Sequence, residues 1–92
     1  VPSPALYVRW AQLGLFSSHA RAHGTPPREP WAYGDAAETI VRNYVNLRYR
    51  LLPYIFSEAL GCGETSLPML RALILEFQED RNAHQIEDQY MF

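Results

Sequence analysis

Two histidines and an arginine crowd into Phe16-Ser17-Ser18-His19-Ala20-Arg21-Ala22-His23-Gly24, the densest chemistry in the chain. On a helix, His19 and His23 at i and i+4 would share a face, as in a His-x-x-x-His zinc pair. Ala20, however, stands where the general-base Glu of such a motif belongs. Gly14 upstream and Gly24-Thr25-Pro26 downstream also deny the segment room for a stable helix. In an extended chain the two rings sit roughly 13 Å apart, too far to share one metal. No metal site and no cofactor is therefore expected. His23 alone reads as a core histidine unless it sits at the carboxyl end of a parallel strand. That is where ligands bind in barrels and open α/β sheets, and an imidazole there can donate to a hydroxyl group.

Other reactive groups are sparse. The carboxylates fall in adjacent pairs, Glu79-Asp80 and Glu87-Asp88. Glycoside cleavage needs two carboxyl groups facing each other across a sugar, and neighbours on one polar turn do not face each other. Both pairs read as solvated surface charge. Cys62, the one thiol, lies between Gly61 and Gly63 and reads as part of a turn. A single thiol makes neither an internal disulfide nor a cysteine zinc site. No Gly-rich phosphate loop and no Ser-His-Asp pattern occurs.

The elements that must position the histidine segment are legible in part. Ser3-Pro4 reads as N-cap and first helical position, and Leu6, Trp10 and Leu13 make one apolar stripe that Gly14 should close. Residues 16–23 read as a short strand running into a loop. Pro26-Pro27 forbids helix, and 28–34 should be irregular, with Trp31 and Tyr33 either pinning it to a core or stacking on a ligand. Asp35-Ala36-Ala37-Glu38 fits an acidic capping box. It opens a largely buried helix with the stripe Ile40, Tyr44, Leu47, Leu51, kinked at Pro53 and ending near Leu60 before Gly61-Cys62-Gly63. Arg42, Arg48 and Arg50 should face solvent or pair with Glu38 and the helix end. The apolar run from Pro68 to Phe77 reads as a buried strand, and Ile86 with Tyr90 allows a short terminal helix. Strands buried on both faces belong to parallel sheets. The order helix, strand, helix, strand, helix is that of a helix-rich α/β fold.

The bulk composition agrees. Apolar residues make up 48% and charged residues 20%, which is globular, not disordered. The net charge is −2 and the eight basic residues are all Arg, scattered along the chain. That argues against a polybasic nucleic-acid or membrane patch. No stretch of 18 apolar residues occurs, so no transmembrane helix is expected, and no signal-peptide pattern appears. Aromatics at 13% supply more ring surface than 92 residues easily cover. The start on Val1-Pro2-Ser3-Pro4 and the apolar end Tyr90-Met91-Phe92 raise the expectation of a piece of a longer chain.

Six segments in order resemble glycoside hydrolase family 31. They are Tyr7-Val8-Arg9-Trp10-Ala11-Gln12-Leu13-Gly14, Arg21-Ala22-His23-Gly24, Arg28-Glu29-Pro30-Trp31, Leu47-Arg48-Tyr49-Arg50-Leu51-Leu52-Pro53-Tyr54, Pro68-Met69-Leu70-Arg71-Ala72-Leu73 and Asp88-Gln89-Tyr90-Met91-Phe92. The resemblance implies a (β/α)8 TIM barrel of which residues 1–92 are the C-terminal portion, about the last quarter. Strand seven would then fall at 16–23 and strand eight at 68–77. It also implies a retaining α-glycosidase, whose nucleophile and acid/base Asp residues would both precede Val1. His23 matches the family's sugar-binding histidine in the subsite where cleavage occurs, and Arg21 matches a common family position in the same loop, so the two are expected to be the substrate-binding residues. The stretch Phe16-Ser17-Ser18-His19-Ala20-Arg21-Ala22-His23-Gly24 looks more like the bacterial α-xylosidases than the α-glucosidases, many of which carry Pro where Ser18 stands.

The implied partners are an oligosaccharide or α-glycoside substrate and the remainder of the chain's own barrel, with no nucleic acid and no membrane. The linkage, the aglycone, the oligomeric state and the compartment stay open, with a lean toward the cytoplasm. The residues on their own leave two other readings: a stand-alone helical interaction module, and a zinc hydrolase using His19 and His23.

Overall fold

Ser3 and Pro4 start the first helix as their types demand. The computed structural model describes residues 1–92, and in it helix α1 runs Pro4–Leu15. Ser3 is extended (φ −66°, ψ 155°), and its hydroxyl accepts from the Leu6 amide at 3.3 Å. Gly14 does not end this helix. Phe16 caps it, with its amide bonded to Leu13 O at 3.3 Å, and the Ser17 amide follows on Gly14 O at 3.0 Å. No strand forms over 16–23. Residues 30–34 are more regular than expected: Pro30–Tyr33 form one 3-10 turn. Gly34 leaves that turn at φ 94°, a value that favours glycine.

Helix α2 spans Asp35–Thr65. Gly34 O accepts from the Glu38 amide at 3.0 Å, and the Glu38 carboxylate is bonded by Arg42, i to i+4. The expected reciprocal capping box is thus replaced by an exposed ion pair. Pro53 supplies no amide proton, yet the helix carries it without a break. Nor do Gly61 and Gly63 stop it. Neither takes a positive φ; that role falls to Ser66 (φ 62°), whose amide bonds Cys62 O at 2.9 Å. Burial on α2 is confined to Ala37, Val41 and Ile55, while Tyr49 and Phe56 are about two-thirds exposed, so the helix is far less covered than its stripe predicts.

The chain divides into two compact units, Val1–Ile55 and Phe56–Phe92. The core of the first holds Tyr33, Ala37, Val41 and Ile55; that of the second holds Met69 and Ala83. In the second unit the apolar run is not one buried strand. Strand β1 is only Arg71–Ala72, and Leu73–Leu75 turn into a 3-10 helix. Strand β2, Tyr90–Met91, pairs with β1 antiparallel, Arg71 opposite Met91 and Ala72 opposite Tyr90. The expected terminal helix is a single 3-10 turn at Ala83–Gln85.

A physical reason accounts for these departures. A strand needs a neighbour along its length, because its amides and carbonyls cannot bond each other. Beyond Ala72 the amides close local turns instead: Glu76 and Phe77 both bond Leu73 O. Arg71 fixes the bend by donating to Met69 O at 3.2 Å and pairing with Glu76 at 2.5 Å. Leu75 and Phe77 are left exposed, and the parallel pairing read from their apolar run is replaced by a two-stranded antiparallel ribbon. No helix is long and apolar enough to cross a membrane.

Candidate functional site

The histidine segment is a loop held at both ends, all of it within the first unit. Its near end is held by α2. Phe16 meets the Tyr44 ring edge-on, with centroids 6.0 Å apart at 76°. One turn along the same face of α2, Arg48 reaches the backbone. Its Nη1 donates to Leu15 O at 2.5 Å and Ser17 O at 2.6 Å, and its Nη2 to Ser18 O at 3.3 Å. The Ser17 and Ser18 carbonyls would have been ladder acceptors had 16–23 been a strand. A single guanidinium fork does that work instead. Arg48 is half-buried by it, contrary to the expected solvent-facing role.

The far end is held through Gly24. It adopts φ 148°, and a Cβ built there would lie 2.5 Å from Arg28 Nε. Glycine is thus favoured by its backbone, and a Cβ there would also push the Arg28 guanidinium aside. Arg28 in turn donates from Nη1 to Tyr33 Oη at 3.1 Å, and the Tyr33 hydroxyl donates to Pro27 O at 3.3 Å. Tyr33 stacks on Tyr7 of α1, centroids 3.8 Å apart and planes within 9°. The Tyr7 hydroxyl closes the circuit by donating to Arg28 O at 2.6 Å. Burial, more than the neighbouring Tyr33 and Glu29 or the opposing Arg28, pushes the Tyr7 phenol above its usual pKa. Tyr33 therefore pins the loop to a core, as one of the two readings held, while Trp31 stays two-thirds exposed.

Between the anchors, residues 18–24 are exposed. The two histidines take different partners. His19 Nδ1 bonds the Ser18 hydroxyl at 2.7 Å; His23 Nδ1 bonds Arg21 Nη2 at 2.8 Å. No group of three or more His, Cys, Asp or Glu side chains comes together anywhere in the chain. The paired carboxylates are exposed, and Asp80 spends one oxygen on the Asn82 amide at 2.9 Å. Cys62 lies within α2, not in a turn. A surface cleft of about 440 Å³ is lined by Asn43, Tyr44, Asn46, Leu47 and Arg50, side chains of α2 alone. It includes none of the loop's polar groups. What the structure brings together is thus Arg21 with His23, on a loop fixed by Tyr44, Arg48, Gly24 and Arg28. The anchors left one trace in the sequence: Tyr44 and Arg48 are i and i+4 on one helix.

Comparison with known proteins gives a consistent picture. The family model described as the glycosyl hydrolases family 31 TIM-barrel domain matches residues 1–58. An α-xylosidase of Emericella nidulans is 44% identical over 92 residues, covering 99% of this chain and 12% of the relative. Among solved structures, the family 31 dextranase of Flavobacterium johnsoniae, complexed with isomaltotriose, superposes with a TM-score of 0.85 at 39% identity, over 96% of this chain and 11% of its own. A family 31 α-xylosidase from a soil metagenome, complexed with xylose, gives 0.80 at 29% identity, over 97% of this chain and 16% of its own. The chain spans about an eighth of the length of curated relatives it matches.

Proposed function

The chain belongs to glycoside hydrolase family 31, and on that premise we propose that it supplies one wall of the sugar-binding site of a retaining α-glycosidase. Residues 1–92 are in this reading the C-terminal portion of the catalytic (β/α)8 barrel, and the remainder of that barrel supplies the nucleophile and the acid/base. The substrate is a terminal α-xylosyl or α-glucosyl residue. The xyloside is favoured, on the stretch from Phe16 to Gly24 and on the identity with an enzyme named α-xylosidase.

The observation that carries the reading is the exposed Arg21–His23 pair on a loop fixed at both ends. A sugar hydroxyl needs a donor or acceptor already in place, and polar groups held by their surroundings lose least on binding. His23 supplies that contact, and Arg21 belongs to the same wall. His19, bonded to Ser18, lies outside it.

The test is made on the intact protein with p-nitrophenyl α-xyloside and α-glucoside. His23→Ala should lower kcat/KM by about a hundredfold, the scale of losing one polar contact that strengthens in the transition state. An unchanged kcat/KM on both substrates would remove His23 from the site. A higher kcat/KM on the glucoside would replace the xyloside preference.

A further inference from the structure

The Arg21–His23 bond has a direction. A guanidinium has five donors and no acceptor, and it stays charged in proteins. The 2.8 Å contact between Arg21 Nη2 and His23 Nδ1 therefore makes Nδ1 the acceptor. An imidazole that accepts at Nδ1 is neutral and holds its one proton on Nε2. Nε2 is bonded by no other group of the chain.

From this we infer that Arg21 is a positioning residue: it holds the His23 ring in one orientation and as the Nε2–H tautomer, so that the ring offers a donor, not an acceptor, to a hydroxyl of the bound sugar. This rests on the reading of His23 as the sugar contact. The logic is that of histidines whose second nitrogen is fixed by an outer partner, which sets both tautomer and ring direction. The spacing suits it. Arg21 and His23 are two residues apart in the loop, and their side chains meet at 2.8 Å. Ala22 between them is too small to intervene. The ring is otherwise exposed, and without Arg21 it would turn freely and sample both tautomers.

Two measurements on the intact protein test this. The first is a long-range proton–nitrogen spectrum of protein labelled at histidine nitrogens, with the His23 signals identified by their loss in His23→Gln. Wild type should show Nε2 protonated and Nδ1 unprotonated, and Arg21→Ala should move Nδ1 toward the averaged position of an exchanging ring. The second is a double-mutant cycle on kcat/KM with the better nitrophenyl glycoside. Arg21→Ala alone should cost about tenfold, the scale of one charge-assisted hydrogen bond. Added to His23→Gln, whose side-chain amide is a donor that needs no tautomer, Arg21→Ala should cost less than about twofold. Both residues are exposed, so the variants fold, and unchanged thermal unfolding checks it.

An Nδ1-protonated ring in wild type, or a spectrum indifferent to Arg21→Ala, overturns the inference. So does a full tenfold cost of Arg21→Ala in the His23→Gln background, which would place Arg21 on the sugar itself. If the spectrum responds to Arg21 while His23→Ala leaves kcat/KM unchanged, Arg21 does fix the tautomer, and it is the sugar-binding reading of His23 that falls.

Discussion

Arg48 is the residue whose loss the structure prices most clearly. Its guanidinium gathers Leu15 O, Ser17 O and Ser18 O, two of them at 2.5 and 2.6 Å and the third at 3.3 Å. A hydrogen bond from a charged donor contributes about 1.5–3 kcal/mol when both ends are shielded, and less where water can replace the donor. The two short bonds are half-buried and the long one is exposed. Taking the low end for the first two and little for the third gives about 3 kcal/mol of local stability. Arg48→Met keeps the aliphatic stem and removes every donor. Arg48→Lys keeps the charge, but one ammonium cannot span three carbonyls, so it should lose about half as much.

The assay is amide hydrogen exchange over residues 14–20, because the amides of Phe16 and Ser17 are bonded to Leu13 O and Gly14 O in the turn that Arg48 clamps. At about 3 kcal/mol, Arg48→Met should speed exchange there by roughly a hundredfold, while peptides from residues 71–91 keep wild-type rates. The kcat/KM of the intact protein should fall with it, since the loop carrying His23 loses its near anchor. Exchange at residues 14–20 within about threefold of wild type, a change of under about 0.7 kcal/mol, would refute the clamp.

Two further perturbations probe the far anchor. Gly24→Ala places a methyl 2.5 Å from Arg28 Nε on a backbone at φ 148°; it should destabilise by about 1–3 kcal/mol in denaturant unfolding, and a loss under about 0.5 kcal/mol would contradict the preference for glycine. Tyr7→Phe keeps the stack on Tyr33 but deletes the donor to Arg28 O, and should cost about 1 kcal/mol. The same variant tests the pKa. The Tyr7 phenol is raised by burial, so the fold favours its protonated form. That contribution is fully present below the ordinary tyrosine value of about 10 and is lost as pH rises through the raised value. Wild-type stability should therefore fall more steeply than that of Tyr7→Phe on going from about pH 9 to pH 11, and parallel pH profiles would remove the effect.

Local chemistry was legible in the sequence and non-local chemistry was not. Ser3-Pro4 and the start of α2 at Asp35 were readable because a helix start is decided within one turn. The end of α2 was misplaced because Gly61 and Gly63 only permit a left-handed residue, and Ser66 takes it. The apolar run 68–77 read as a strand because periodicity reports burial, not partners; only Arg71 and Ala72 find a partner strand. The clustering of His19, Arg21 and His23 was legible, but the bond between Arg21 and His23 was not, because it depends on a loop conformation that no periodicity reports. Arg48 was not. Its contacts lie 30 or more positions away, and a side chain bonding distant carbonyls leaves no periodic trace.

On the proposed reading, the two anchors also let an exposed, irregular loop serve a binding site. A loop free at either end would pay its ordering entropy each time a ligand arrived. Here the ordering is already done by groups outside the Arg21–His23 pair: Tyr44 and Arg48 from α2 at one end, Gly24, Arg28, Tyr33 and Tyr7 at the other. The side chains of Arg21 and His23 are then free to be presented, because neither is bonded to an anchor. This division makes a specific demand on variants. Changes at the anchors should weaken loop protection and sugar turnover together. Changes at Arg21 and His23 should weaken turnover alone, leaving exchange over residues 14–20 as it was, because their one contact is with each other.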